Sequence, residues 1–194
     1  MATEPLAPHT SDPAASGSRD ATATKPFVPN TDELLTRNAE YVAAFDDAGR
    51  PVAPSRRLAI VACMDSRMDI FRMLGLGKGE AHIIRNAGGV ITDDVIRSLC
   101  LSQRLLGTRE VILLHHTDCG LQKVTEDAFK ADLEAELGVK PWWALESFTD
   151  PYADVRQSVQ RLLLTPFLPH KDHLRGFVYD VATGVLHEAD RDDH

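Results

Sequence analysis

Two short stretches of this chain hold side chains suited to binding a metal. In CMDSR, Cys63, Asp65 and Arg67 follow one another at alternate positions. In HHTDCG, His116 and Cys119 are close enough along the chain for one turn to aim both at a single ion. Thiolate sulfur and imidazole nitrogen are the donors zinc takes in a tetrahedron, so Cys63, His116 and Cys119 make three ligands and leave one position open. Structural zinc sites are closed by four ligands, usually with CxxC spacing, and the chain has no CxxC. Cys100, the remaining thiol, falls in a helical pattern with Leu99, Leu101 and Leu106 and reads as core. His115 is adjacent to His116 on an extended segment, so the two side chains point to opposite faces; it reads as a hydrogen-bonded packing histidine. Asp65 and Arg67, taken alone, read as a helix cap and a surface ion pair.

These ligands meet only if the elements ahead of them lie side by side. RLAIVAC and REVILLHH are short apolar, β-rich runs ending at the two motifs, and AHIIR is a third such run between them. Helical patterns separate them. MDIFRMLGLGKG is a short helix closed by glycines, and TDDVIRSLCLSQRLLG keeps Ile96, Leu99, Cys100 and Leu106 on one face up to Gly107. A further helix starts near Thr125 with Phe129, Leu133 and Leu137 in register and stops at Gly138. Another is announced by Asp150 as cap with Pro151 at its first position, and runs to Pro166. RGFVYDVATGVLHE reads as two antiparallel strands around Thr183 and Gly184. The alternation predicts parallel β/α units, and ligands bind at the carboxyl ends of such strands. GLGKGE follows a helix and precedes a strand, the reverse of a phosphate loop.

Residues 1–30, rich in Pro, Ala, Ser and Thr and without apolar period, read as a disordered tail. Residues 31–48 form an amphipathic helix with Leu34, Leu35, Tyr41, Val42 and Phe45 on one face, Asn30 and Glu33 suiting a capping box and Gly49 a stop. That face either packs into the core or lies on a partner subunit. Residues 31–194 are expected to form one domain. The balance of 21 basic against 29 acidic residues, a net charge of −8, is the wrong sign for nucleic acid or an anionic membrane surface. The N-terminus lacks the basic start and apolar centre of a signal peptide, so a cytoplasmic protein is expected.

CMDSR, RNAGG and HTDCG, in that order, resemble the pattern of the β-class carbonic anhydrases, of a short bacterial type, over roughly Leu58 to Gly120. The resemblance implies an enzyme with one Zn2+ per subunit, held by Cys63, His116 and Cys119, that hydrates CO2 to bicarbonate and a proton through zinc-bound hydroxide. It implies Asp65 and Arg67 as the catalytic pair. It also implies a four-stranded parallel core in the order 2-1-3-4 with an added antiparallel strand and flanking helices, in a homodimer or higher even assembly. Zinc with two thiolates has no formal net charge and acidifies water less than zinc on three imidazoles. Asp65, held by Arg67 through a charge-assisted pair, is expected to help by accepting a hydrogen bond from that water. If Arg67 releases it at lower pH, Asp65 is expected to take the open zinc position and close the site.

Gly88 and Gly89 in RNAGGV allow close backbone approach, and N–H groups there are candidates for orienting bicarbonate. Enzymes similar to the short bacterial type use the same centre to hydrolyse carbonyl sulfide or carbon disulfide, so these remain alternative substrates. A non-catalytic, zinc-stabilised regulator is a third reading.

Overall fold

The computed structural model describes residues 27–189. The expected tail of residues 1–30 lies, except for 27–30, outside the described residues. The chain divides into a unit ending at Ala48 and another beginning at Gly49.

In the first unit, Thr31–Ala43 form helix α1. The helix stops short of residue 48. Its last turn tightens as Ala44 N and Phe45 N donate to Tyr41 and Val42 carbonyls, and Asp46 and Asp47 follow, which the negative end of a helix disfavours. The expected capping box is also absent. Asn30 has φ −109° and ψ 9°, outside the extended conformation from which a cap side chain reaches back, and makes no such bond. No residue of α1 is buried.

In the second unit, β1 (Leu58–Cys63), β2 (Ala81–Asn86), β3 (Glu110–His116), β4 (His173–Tyr179) and β5 (Leu186–Glu188) form one sheet in the order β2-β1-β3-β4-β5. The first four are parallel and β5 runs antiparallel to β4, as expected. β1 is buried along its whole length, which is why its sequence is a continuous apolar run rather than an alternating one. Leu58, Ile60 and Ala62 face one core with Leu114, Leu121 and Phe148. Ala59 and Val61 face the other with Val95, Leu99, Leu113 and Leu162.

The helices are α2 (Ile70–Leu74), α3 (Asp93–Leu106), α4 (Glu126–Leu137) and α5 (Pro151–Leu164). Their ends follow local chemistry. Thr92 caps α3 by accepting from Val95 N, and Gly107 closes it in the left-handed conformation. Asp150 caps α5 by accepting from Tyr152 N, with Pro151 at the first position. Phe129 and Leu133 of α4 are half-buried and Leu137 is exposed, so this helix contributes no buried residue. Among the described residues no helix is long and apolar enough to cross a membrane.

Candidate metal centre

Because β1 and β3 are neighbours, their carboxyl ends deliver Cys63 and His116 to one place. Cys119 arrives by a turn through Asp118, whose φ is 57°. The turn is pinned to the end of β4, since Thr117 N donates to the Tyr179 carbonyl at 2.9 Å and Thr117 Oγ1 accepts from Val181 N at 3.1 Å. The ligand atoms of Cys63, His116 and Cys119 all lie within 4.8 Å of one another, and all three residues are buried.

The donor set suits a soft divalent cation. His116 Nδ1 donates to the Thr117 carbonyl at 2.8 Å, which fixes the tautomer and leaves the lone pair on Nε2. That buried Nε2 has no hydrogen-bond partner; the Asp65 carboxylate is 3.7 Å away. An orphaned, buried lone pair facing two sulfurs is what a metal ligand looks like before the metal arrives. A hydrogen bond from Cys119 lowers the Cys63 thiol well below its ordinary pKa, and the same bond raises Cys119. The pair therefore holds one thiolate and one proton, which a cation binding both sulfurs must expel. For His116, burial opposes protonation, but the Cys63 sulfur, the Thr117 carbonyl and Asp65 outweigh it and raise its pKa.

Asp65 lies beside this centre, clamped by Arg67. The Arg67 backbone N–H and Nε donate to Asp65 Oδ1 at 2.9 and 3.0 Å, and Nη2 donates to Oδ2 at 2.8 Å. These bonds hold the Asp65 carboxyl far below the usual carboxylate range. Asp65 is not the helix cap; that position belongs to Asp69, which accepts from Arg72 N. Arg67 is itself held by Asp118, through Nη1 to Oδ2 at 2.9 Å and Nη2 to the backbone carbonyl at 3.1 Å. Lys123 reaches Asp118 Oδ1 at 2.6 Å. Lys123 first and Arg67 second depress the Asp118 pKa.

The floor is built from backbone. Ala87–Gly89 form a single 3₁₀ turn in which Gly88 and Gly89 have φ of 81° and 73°. A Cβ on Gly89 would lie 2.7 Å from Cys63 N and 2.9 Å from the Leu114 carbonyl oxygen, and one on Gly88 would meet Leu121 at 2.5 Å. Gly89 therefore requires glycine on steric grounds, since its contacts are backbone, while Gly88 is favoured by its left-handed backbone. Arg85, from β2, ties the loop after β1 in place by donating from Nε to the Cys63 carbonyl at 2.9 Å and from Nη2 to the Asp65 carbonyl at 2.6 Å. His115 points away from the centre, with Nε2 2.6 Å from Asp154 Oδ2 of α5. Cys100 is half-buried and packs against the α3 side of the core.

The structure thus brings together Cys63, His116, Cys119, Asp65 and Arg67, with Gly88 and Gly89 beneath them. Sequence reasoning missed Asp118, Lys123 and Arg85. The first and last sit inside HTDCG and RNAGG, so the motifs contained them, but their work is to hold other groups and depends on which strands pair.

A family model described as carbonic anhydrase matches residues 58–144. The chain is 56% identical over 158 residues to β-carbonic anhydrase 1 of Mycobacterium tuberculosis, covering 81% of this chain and 96% of that one. It is 34% identical over 160 residues to a carbon disulfide hydrolase of Acidianus, covering 68% of this chain and 76% of that one. Its fold is similar to the crystal structure of carbonic anhydrase from Streptococcus mutans, with a TM-score of 0.79 and 42% identity, covering 85% of this chain and all of that one.

Proposed function

Since this chain belongs to the β-class carbonic anhydrases, which are zinc lyases, we propose that it converts CO2 and water reversibly to bicarbonate and a proton at the Cys63, His116 and Cys119 centre. The observation that carries this reading is the buried three-ligand cluster beside a carboxylate locked by arginine. Zinc supplies Lewis acidity that makes water a nucleophile near neutral pH. Cys63 and Cys119 hold it as thiolates and His116 through Nε2. Asp65, kept ionised by Arg67, accepts a hydrogen bond from the reacting water and so orients its oxygen toward the carbon of CO2. The C–O bond forms as a proton leaves toward solvent. Asp118 and Lys123 keep Arg67 from swinging away. Gly89 lets the loop close against the backbone of Cys63 and Leu114, and the N–H groups of Gly88 and Gly89 are offered to the product.

Stopped-flow CO2 hydration by zinc-loaded protein tests this. The rate is expected to rise between about pH 7 and about pH 9 and to vanish in Cys119→Ala. No CO2 turnover by folded, zinc-replete protein would refute it. The likeness to carbon disulfide hydrolase favours a second reading, hydrolysis of carbon disulfide or carbonyl sulfide, whose central carbon presents the same electrophile; release of hydrogen sulfide when either replaces CO2 as substrate identifies it.

We also read residues 31–194 as one functional domain that assembles as a homodimer or higher even oligomer. The support is α1, whose Leu34, Leu35 and Val42 are each about three-fifths exposed, an apolar face that water disfavours. Three cysteines free of disulfides, two of them proposed metal ligands, suit a reducing compartment, and we place the protein in the cytoplasm.

A further inference from the structure

At the opposite, amino-terminal ends of the strands, where β1 and β3 begin and the chain enters β4, three arginines act on one histidine. We propose that Arg57, Arg104, Arg109 and His170 form an oxyanion site for a phosphate-bearing small molecule.

Each guanidinium is anchored by one N–H and keeps others free. Arg57 Nε donates to the Gly107 carbonyl at 2.9 Å, Arg104 Nε to the Phe167 carbonyl at 3.0 Å, and Arg109 Nη1 to His170 Nε2 at 2.7 Å. The frame beneath them is tied at several points. Arg57 has φ 55°, and its carbonyl accepts from both Arg109 N at 2.7 Å and Glu110 N at 3.3 Å. His170 is fixed by Gln103, which donates to the His170 carbonyl at 2.8 Å and accepts from its N–H at 3.1 Å. Guanidinium groups held this way lose little side-chain entropy on binding an anion.

The charge balance is unusual for this chain. Arg37, Arg56, Arg67, Arg97, Arg161 and Arg175 each pair with a carboxylate. Among the described residues Arg57, Arg104 and Arg109 have no such ion pair, and neither do Arg72 and Arg85, but only the first three act together on one histidine, in a chain of net charge −8. Three cations without a direct ion pair around one histidine, with Asp172 the one carboxylate acting there, leave a local positive excess that favours an anion from outside. Their closeness shows in His170, whose pKa is lowered by partial burial and then by Arg109, Arg57 and Arg104, with Asp172 alone opposing among the groups acting on it. The neutral ring accepts from Arg109 and can donate from Nδ1. Planar N–H forks match phosphate oxygens, whereas the acidic remainder of the surface repels a long polyanion such as nucleic acid. The patch is separated from the metal centre by the length of β3, about 20 Å, so binding there is independent of the reaction chemistry.

The test uses the full chain, titrated with inorganic phosphate and with pyrophosphate while the His170 imidazole is followed by NMR. Saturable binding below about 10 mM, tighter for pyrophosphate, is expected, with the His170 titration midpoint moving to higher pH as the anion offsets the arginines. The Arg57→Gln/Arg104→Gln double variant keeps the Arg109 contact to His170 and is expected to bind at least about tenfold more weakly, with CO2 hydration unchanged as evidence of folding. Three results would overturn the proposal: no His170 response to either anion, equal binding by the double variant, which would mean an adventitious ion only, or binding of a short RNA duplex in place of the small anions.

Discussion

At the scale of single residues, the site is a chain of restraint that runs outward from the proposed metal ligands. Asp65 is held by Arg67, Arg67 by Asp118, and Asp118 by Lys123. The outermost links are exposed, so the electrostatic gain of each is modest; their value is geometric, because Arg67 can grip both Asp65 oxygens only while its other edge is occupied. Asp118→Asn keeps a residue tolerant of φ 57° while removing the charge that Arg67 and Lys123 share. It is expected to lower kcat/KM by about tenfold, at the lower end of what outer-shell changes cost, with zinc content by atomic absorption equal to the parent. A fall in zinc content instead would mean that Asp118 supports the ligands and not the Asp65 clamp. The three ligand residues were legible as a donor set because soft donors in this combination are chemically distinctive. Asp118 and Arg85 were not, because an aspartate in a turn and an arginine in a strand are common, and only the pairing of β1 with β2 and β3 reveals what they hold.

At the scale of elements, the site depends on how closely backbone can approach backbone. A Cβ on Gly89 would strike Cys63 and Leu114, whereas one on Gly107, with the same φ of 73°, would meet nothing within 4 Å. Gly107→Ala is therefore expected to cost only the left-handed penalty of about 1–2 kcal/mol. Gly89→Ala adds a collision with two strands and is expected to cost clearly more, at least about 3 kcal/mol, or to prevent folding; thermal melts of the two variants separate these terms. β5 is secured differently, by Arg175, whose Nε and Nη2 donate to Glu188 at 2.7 and 2.6 Å. Arg175 lowers the Glu188 pKa below 4.5, so the pair stabilises the fold above about pH 4.5 and stops doing so as pH falls through the lowered value. Glu188→Gln is expected to melt slightly below the parent at pH 7, by no more than about 1 kcal/mol given the exposure of the pair, and the gap should close as pH falls through the lowered Glu188 value. Helix ends were largely readable, since Asp150–Pro151, Thr92 and Gly107 act locally, whereas sheet order came only with the family resemblance, because local chemistry does not say which strands pair. The end of α1 and the shallow seating of α4 were not, because apolar spacing predicts a helix without saying what covers it.

At the scale of the whole molecule, the proposed assembly turns on the apolar face of α1. Leu35→Glu places a charge on that face and is expected to shift the protein to monomer in sedimentation velocity, with lower activity; an unchanged sedimentation coefficient would remove α1 from the interface. The order of the strands also governs when metal can bind. Cys63 ends β1 and Cys119 follows β3, and these strands are neighbours although β2 and α3 intervene along the chain. The two sulfurs meet only after a long loop has closed, which is the slow part of folding such a topology. A metal that needs both sulfurs therefore finds its complete site only in a nearly finished molecule, where it would slow unfolding by binding the native state.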